Sequence, residues 1–407
     1  MRECDILIIG GGASGLFAAI TAAKSGGNKR IIILERQQRV GKKLLITGNG
    51  RCNISNLEIS PDRYHSNCMH TVTDILNGFA LDDTREAFKS MGIVLRSEGD
   101  KLFPYSLQAS TVLDVLRFEC ERLGIETICE CYAESISKNH TVRTNLGDFH
   151  ADAIIIACGG KAAPKTGSDG NGYALLTSLG HSLVKPFPAI VPLKTDVSLT
   201  RVMKGVKVEA EVTVIAGNRK QTEYGEALFT DYGVSGPAAM QLSRVAAEFY
   251  DKNATIRIDF LPQMGYSDVL EYLSERRKKA YKGIAENLTL GLLNKRVGQA
   301  VLKYSGIGVK DVCANLKDSD LKKIACSIKK FELKVTGVCG FESAQTTAGG
   351  INLDEFNSLT LESKKARGIY ACGEVLDCDG DCGGFNLQWA WSSGHAVGKA
   401  AAERTSK

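Results

Sequence analysis

Uninterrupted apolar runs alternate along this chain with stretches whose apolar residues repeat every three or four positions, the patterns of buried strands and of one-sided helices. The first run, Ile6 to Ile9, ends in Gly10-Gly11-Gly12-Ala13-Ser14-Gly15, and an alanine-rich helical pattern follows over 16–23. A second run, 31–34, ends in Glu35. Residues 36–56 are too glycine-rich and polar for a regular element and read as a ligand-covering loop. Helices are expected near 72–79, 83–91 and 110–123, with a hairpin over 95–103. Strands are expected at 125–129, 132–137, 141–145 and 149–157, the last closing in Cys158-Gly159-Gly160. The stretch 167–172 looks like a phosphate loop, but no apolar strand feeds it, so it reads as a turn before a helix at 173–179 and not as a second nucleotide site. Beyond Pro186, Pro188 and Pro192 the pattern alternates through 193–261, as in β-rich structure, and turns helical over 267–330. Glycine turns return at Gly349-Gly350, a strand ends in Gly373-Glu374, and Gly383-Gly384-Phe385-Asn386 opens a last helical run over 387–402.

Length and charge refine this picture. A chain of 407 residues suggests two or three domains, and 43% hydrophobic residues fill ordinary cores. No stretch approaches the roughly 18 apolar residues of a membrane span, and Arg2 and Glu3 precede a glycine-broken run, unlike a secretory leader; the reading expects a cytoplasmic protein. Thirteen scattered cysteines fit reduced thiols. Cys129-x-Cys131 and Cys378-x-x-x-Cys382 lack further ligands at zinc spacing, so no metal is expected. The net charge is +5, yet residues 268–334 hold fifteen Lys and Arg against eight Asp and Glu, a local +7 that leaves −2 elsewhere. That segment is either a dock for an anionic partner or a solvated lysine face.

The N-terminal unit carries the chemistry. Gly10 permits a tight turn, Gly12 lets the backbone approach a pyrophosphate, Gly15 allows close helix–strand packing, and Glu35, about twenty residues on, accepts from a ribose hydroxyl. The N–H groups at the helix start face the phosphates. Strand, glycine turn, helix, second strand and acid all coincide, so the chain is expected to bind a dinucleotide.

Together with the Cys158-Gly159-Gly160 strand end and the late Ala371-Cys372-Gly373-Glu374, this unit resembles FAD enzymes of the glutathione-reductase structural type. The runs Gly41-Lys42-Lys43-Leu44-Leu45-Ile46-Thr47-Gly48-Asn49-Gly50-Arg51-Cys52-Asn53, Leu228 to Pro237 and Gly384 to Gly394 are similar to the BaiN/YhiN family of flavoproteins, also called the aminoacetone oxidase family, over nearly the whole chain. The resemblance implies an α/β fold: a FAD-binding Rossmann domain (1–191 and 342–407) interrupted by a β-rich domain (192–266 and 331–341) with a basic helical subdomain (267–330). It implies FAD, with Glu374 on the ribityl side and Gly384, Phe385 and Asn386 at the flavin edge. Ala13, Ser14, Arg36, Lys43, Ala133, Cys158, Gly159, Gly160 and Gly373 complete the expected cofactor contacts, with Arg51, Cys52 and Asn53 from the loop.

Family members are described as bile-acid C=C reductases, ribosomal-RNA dihydrouridine synthases and aminoacetone oxidases. The resemblance therefore implies a FAD-dependent oxidoreductase. Reduction of a C=C bond conjugated to a carbonyl is favoured, with uracil in ribosomal RNA placed slightly ahead of a 3-oxo-Δ4 steroid. An oxidase using oxygen and a non-catalytic flavin-containing RNA-binding factor stay open. No second strand–GxGxxG–helix unit exists, so NAD(P)H is expected as a transient reductant. For the proton, Cys52 either donates it or packs; Arg51 and Asn53 either bind the substrate carbonyl or, for Arg51, the pyrophosphate. His65, His70 and His395 are held in reserve, since nothing in the sequence pairs them with an orienting carboxylate.

Overall fold

The computed structural model describes residues 1–249, 253–279 and 282–405, which divide into two units, Met1–Pro188 with Ala344–Lys407, and Ala189–Ser343. The first unit is built on a seven-stranded sheet. Glu126–Ile128, Ile31–Leu34, Arg2–Ile9 and Gly147–Ile156 run parallel in that spatial order. The long strand Gly147–Ile156 then serves two neighbours. Its first half pairs antiparallel with Thr141–Thr144, and its last three residues pair in parallel with Ile369–Ala371. Ile6, Leu7, Ile8, Ile32, Ile33, Ile154 and Ile155 are fully buried, which is why these strands are continuous apolar runs: a parallel sheet is covered on both faces.

Two helices explain how the N- and C-terminal segments come together. Ala13–Lys24 packs against Phe385–Arg404, and Gly394 and Gly398 lie on the contact, where an added Cβ would stand 2.7 Å from the Ser14 carbonyl oxygen and 2.4 Å from that of Ala18. Only glycine allows that approach. Trp389 and Trp391 are buried beside it, their indole N–H groups donating to the carbonyls of Gly373 and Ile54.

The stretch 36–56 is not wholly irregular. A short helix, Lys42–Ile46, follows Gly41, which takes the left-handed φ of 71° against the Leu113 side chain, and a 3₁₀ turn over Thr47–Gly50 leads to a short strand, Ser55–Asn56. An element of five residues is too brief to show a helical period, so the hydrophobic pattern alone passes over it. The helices Met69–Gly78, Leu81–Ser90 and Ala109–Arg122 lie within a few residues of the expected positions, whereas the glycine turns expected around Gly349-Gly350 fall in a strand, Thr346–Ile351, that pairs with an unexpected strand, Leu183–Ala189.

In the second unit six antiparallel strands close a barrel in the order Leu193–Thr195, Gly233–Ser235, Arg219–Phe229, Lys207–Ala216, Thr255–Asp259 and Phe331–Val338. Closure removes the exposed strand edges. The basic segment forms the helices Tyr266–Lys279, Glu286–Thr289, Lys295–Tyr304 and Asp318–Lys329, but not a core of its own. Val269, Leu273, Val297, Val301, Ile324 and Ile328 belong to the same buried cluster as barrel residues Val212, Ile256 and Phe331. Among the described residues no helix is long and apolar enough to cross a membrane.

Candidate functional site

The parallel strands of the first unit end at a cavity enclosing about 1140 Å³ of atom-free space, its open mouth included. Gly10, Gly12, Ala13 and Ser14 form one wall. The three motif glycines hold three different positions. Gly10 has φ +112°, and a Cβ there would meet the Ala157 carbonyl oxygen at 2.4 Å; a Cβ on Gly15 would stand 2.0 Å from the Gly10 oxygen. A Cβ on Gly12 would meet nothing within 4 Å. The first helical bond is Leu16 N–H to the Gly12 carbonyl, so the N–H groups of Ala13, Ser14 and Gly15 have no helical acceptor, and neither a side-chain cap nor an acidic residue occupies the first turn. An uncapped helix start facing a cavity is a seat for anions.

Glu35 and Arg36 line the same cavity. Glu35 is buried; its Oε2 accepts from Gly11 N–H at 3.0 Å and its Oε1 from Gln37 N–H at 2.8 Å. Burial raises its pKa above the ordinary 4.5, against the pull of these bonds. Arg36 is paired with Asp169 at 2.5 Å. That pair marks a departure from the sequence reading, because Gly167, Ser168 and Asn171 also line the cavity. The 167–172 turn is part of the wall of this cavity, with Ser168 Oγ donating to the Gly160 carbonyl. A small-residue turn soon after a glycine strand end is the only trace this leaves in the sequence.

Deeper in, Lys43 Nζ meets Glu374 Oε2 at 2.6 Å, and Glu374 Oε1 accepts from Thr347 N–H at 2.8 Å. Ala133, Cys158, Gly159, Gly373, Glu374 and Asn386 all line the cavity. Lys42, Thr47, Cys131, Gln345 and Trp389 do so as well and were not among the expected cofactor contacts. A second uncapped helix starts here: Gly384 (φ +107°) precedes Phe385–Arg404, with no acidic residue in the first turn. Asn386 holds the turn before it, donating to the Gly380 carbonyl at 2.8 Å and accepting from Gly380 N–H at 2.9 Å.

The remaining expected residues, Gly15, Gly160, Gly384, Phe385, Arg51, Cys52 and Asn53, do not line the cavity. Arg51 bonds Glu98 at 2.9 Å and lies 4.6 Å over the Phe103 ring. Cys52 is fully enclosed, and burial pushes its thiol up to about 12. Asn53 is buried with its Oδ1 lacking a partner, 3.0 Å from where a Cβ on Gly384 would stand. Two reserve histidines gain companions that the sequence did not show: His65 Nε2 is 3.4 Å from Asp381, and His70 Nδ1 is 3.4 Å from the Cys68 sulfur. His395 stacks on Phe79, and burial lowers its pKa.

The model of the HI0933-like protein Rossmann domain matches residues 4–400. The chain belongs to this family. HI0933-like proteins are FAD-dependent Rossmann enzymes, and this one is a FAD-dependent oxidoreductase. Over 403 residues, 98% of each chain, it is 38% identical to a 3-dehydro-bile acid delta(4,6)-reductase of Clostridium scindens. Over 401 residues, 96% of each, it is 30% identical to a ribosomal RNA dihydrouridine synthase of Haemophilus influenzae. Among solved structures, a flavocytochrome c3 fumarate reductase in an open conformation superposes with a TM-score of 0.51 at 16% identity, covering 100% of this chain and 79% of that one; this shows the shared Rossmann-type fold. The HI0933-like site fits FAD on two counts: open space over Gly12 and a buried carboxylate at Glu35 in the same wall.

Proposed function

We propose that the protein reduces a C=C bond conjugated to a carbonyl in a small, largely apolar substrate of the 3-oxo-Δ4 type, with electrons from NAD(P)H through FAD. The observation that supports the cofactor's placement best is a single cavity onto which two uncapped helix starts open, at Ala13 and at Phe385, with the Lys43–Glu374 pair in its wall. In this reading the N–H groups of Ala13 to Gly15 hold the diphosphate and Glu35 accepts from the adenosine ribose. Lys43 and Glu374 lie along the ribityl side. Bound FAD supplies hydride from its ring nitrogen. The helix start at Phe385 would stabilise negative charge on the reduced ring. Cys52, enclosed and holding its proton, packs beneath the loop and is not assigned the proton transfer; Arg51 is assigned to the loop's own fixation.

The preference for ribosomal RNA gives way to the small-molecule substrate. The similarity to the bile-acid reductase is greater, 38% against 30% identity. The local charge is also less available than its count implies. Arg277 is bound to Asp318 at 2.6 Å and to the Leu316 carbonyl, and Arg276 reaches the Asn287 carbonyl. Lys329 is paired with Asp259 and caps the carbonyls of Leu261 and Met264.

The test is anaerobic reduction of the FAD-loaded protein by NADH or NADPH, followed by reoxidation in parallel with a 3-oxo-Δ4 steroid, a ribosomal RNA fragment and oxygen. Rapid reoxidation by the steroid with loss of its enone absorbance is the expected result. Reoxidation by RNA alone moves the substrate to uracil, and reoxidation by oxygen alone makes the protein an oxidase.

A further inference from the structure

Cys68, His70 and Asp354 lie outside the FAD cavity, yet one ligand atom from each falls within 4.8 Å of the others. Cys68 precedes the helix Met69–Gly78, and His70 stands in its first turn; Asp354 is the middle residue of the 3₁₀ turn Leu353–Glu355. We infer that these three side chains form a site for a zinc-class divalent cation, with water as the fourth ligand.

The donor set is chemically selective. One thiolate, one imidazole and one carboxylate suit a borderline-soft ion and not calcium or magnesium, which take oxygen alone. Tetrahedral zinc with bonds of about 2.0–2.3 Å places neighbouring ligand atoms roughly 3.3–3.6 Å apart. The Cys68 sulfur and His70 Nδ1 stand 3.4 Å apart, one such edge already formed. Thr71 Oγ1 lies 3.3 Å from His70 Nε2. The same hydroxyl lies 3.1 Å from the Cys68 sulfur, which is 3.8 Å from Nε2; with Thr71 as acceptor for Nε2 the tautomer with a free Nδ1 is selected, the outer partner that metal-binding histidines usually have. Cys68 is buried while His70 and Asp354 are exposed, so an ion enters from solvent and keeps one open position.

The carboxylate is held by a prearranged turn. The neighbouring Glu355 is anchored by His181 Nδ1 at 3.0 Å, Ser182 N–H at 2.9 Å and Lys365 Nζ at 2.7 Å. Asp354 itself donates its N–H to Asn352 Oδ1 and accepts at its carbonyl from Lys364 Nζ at 2.7 Å. The backbone is thus immobilised from both sides and presents the side chain towards Cys68 and His70, reducing the entropy lost on binding. On coordination the Cys68 thiol releases its proton to solvent and a metal–sulfur bond forms. The ion then ties the helix Met69–Gly78, which packs against Phe385–Arg404, to the turn Leu353–Glu355.

The FAD-loaded full-length protein is titrated with Co²⁺ as a spectroscopic probe, and Zn²⁺ affinity is measured by chelator competition. One equivalent of Co²⁺ with a thiolate-to-metal charge-transfer band is expected. Cys68→Ser should abolish the band, and His70→Ala and Asp354→Asn should each weaken Zn²⁺ at least tenfold with FAD content unchanged. Cys326→Ala, at an exposed thiol elsewhere, should change nothing. A band that survives Cys68→Ser, wild-type affinity in Asp354→Asn, or no stoichiometric binding overturns the assignment. Asp354 is exposed, so its variant keeps the test decisive if the Cys68 variant folds poorly.

Discussion

Substitution of Gly12 separates the ligand's requirement for glycine from the fold's. Gly12 has φ −81°, a value any residue adopts, and a Cβ there meets no atom of the protein within 4 Å. In the apo protein Gly12→Ala reduces unfolded-chain entropy, worth about 0.4–1 kcal/mol, and replaces glycine at a helix N-cap, a loss of similar size. The two nearly cancel, so apo stability should stay within about 1 kcal/mol of wild type. The same empty space is where the diphosphate must approach the backbone. The two methyl groups of Gly12→Val therefore compete with it directly, and FAD affinity should fall at least hundredfold, about 2.7 kcal/mol. Gly15→Ala provides the contrast. Its Cβ would stand 2.0 Å from the Gly10 oxygen, so the apo fold itself should lose about 3 kcal/mol. Denaturant unfolding of the apo proteins and FAD titration by fluorescence quenching measure both quantities. A Gly12→Val protein that binds FAD like wild type, or whose apo form is destabilised as severely as Gly15→Ala, refutes the placement of the diphosphate over Gly12.

Glu35→Ala leaves Gly11 and Gln37 N–H groups without their acceptor and should weaken FAD by about 1.5–3 kcal/mol; calorimetry reads the loss directly. Because burial raises the Glu35 pKa and the ribose needs the charged form, FAD affinity should begin to decline above pH 4.5 as pH falls, and a Glu35→Gln protein should lose that dependence. The Arg122 and Lys24 partners hold Glu119 down to about 2, so its contribution to stability is complete above the ordinary carboxylate pKa and is lost as pH falls through about 2; Glu119→Gln should flatten acid unfolding in that window. Neutralising Lys278 and Lys279, which avoids the structurally engaged Arg276 and Arg277, should leave steroid turnover unchanged, and a large loss of turnover would return the basic helices to the substrate's path.

How much of this was legible without the fold depends on the distance over which each feature is built. The seat at Gly10 to Gly15 with Glu35 is local: a tight turn, a close helix and an acid at a strand end depend on neighbouring residues, so residue type and spacing suffice to recognise it. Glu374 and the glycines before Phe385 drew their expected roles from the family resemblance. That Lys43 pairs with Glu374, or that Arg36 brings the 167–172 turn to the cavity, depends on sheet order and on the crossing of Ala13–Lys24 with Phe385–Arg404 at Gly394 and Gly398, which no local period encodes. Burial likewise was invisible. The sequence left Cys52 as either a proton donor or a packing residue, and only the fold shows it fully enclosed, at a left-handed φ of 58°. The helices over 267–330 show their apolar face in sequence but not what that face covers, and only packing joined it to the barrel's core. His70 showed no carboxylate companion in the sequence because Asp354 arrives from late in the chain, once the interrupted sheet has closed.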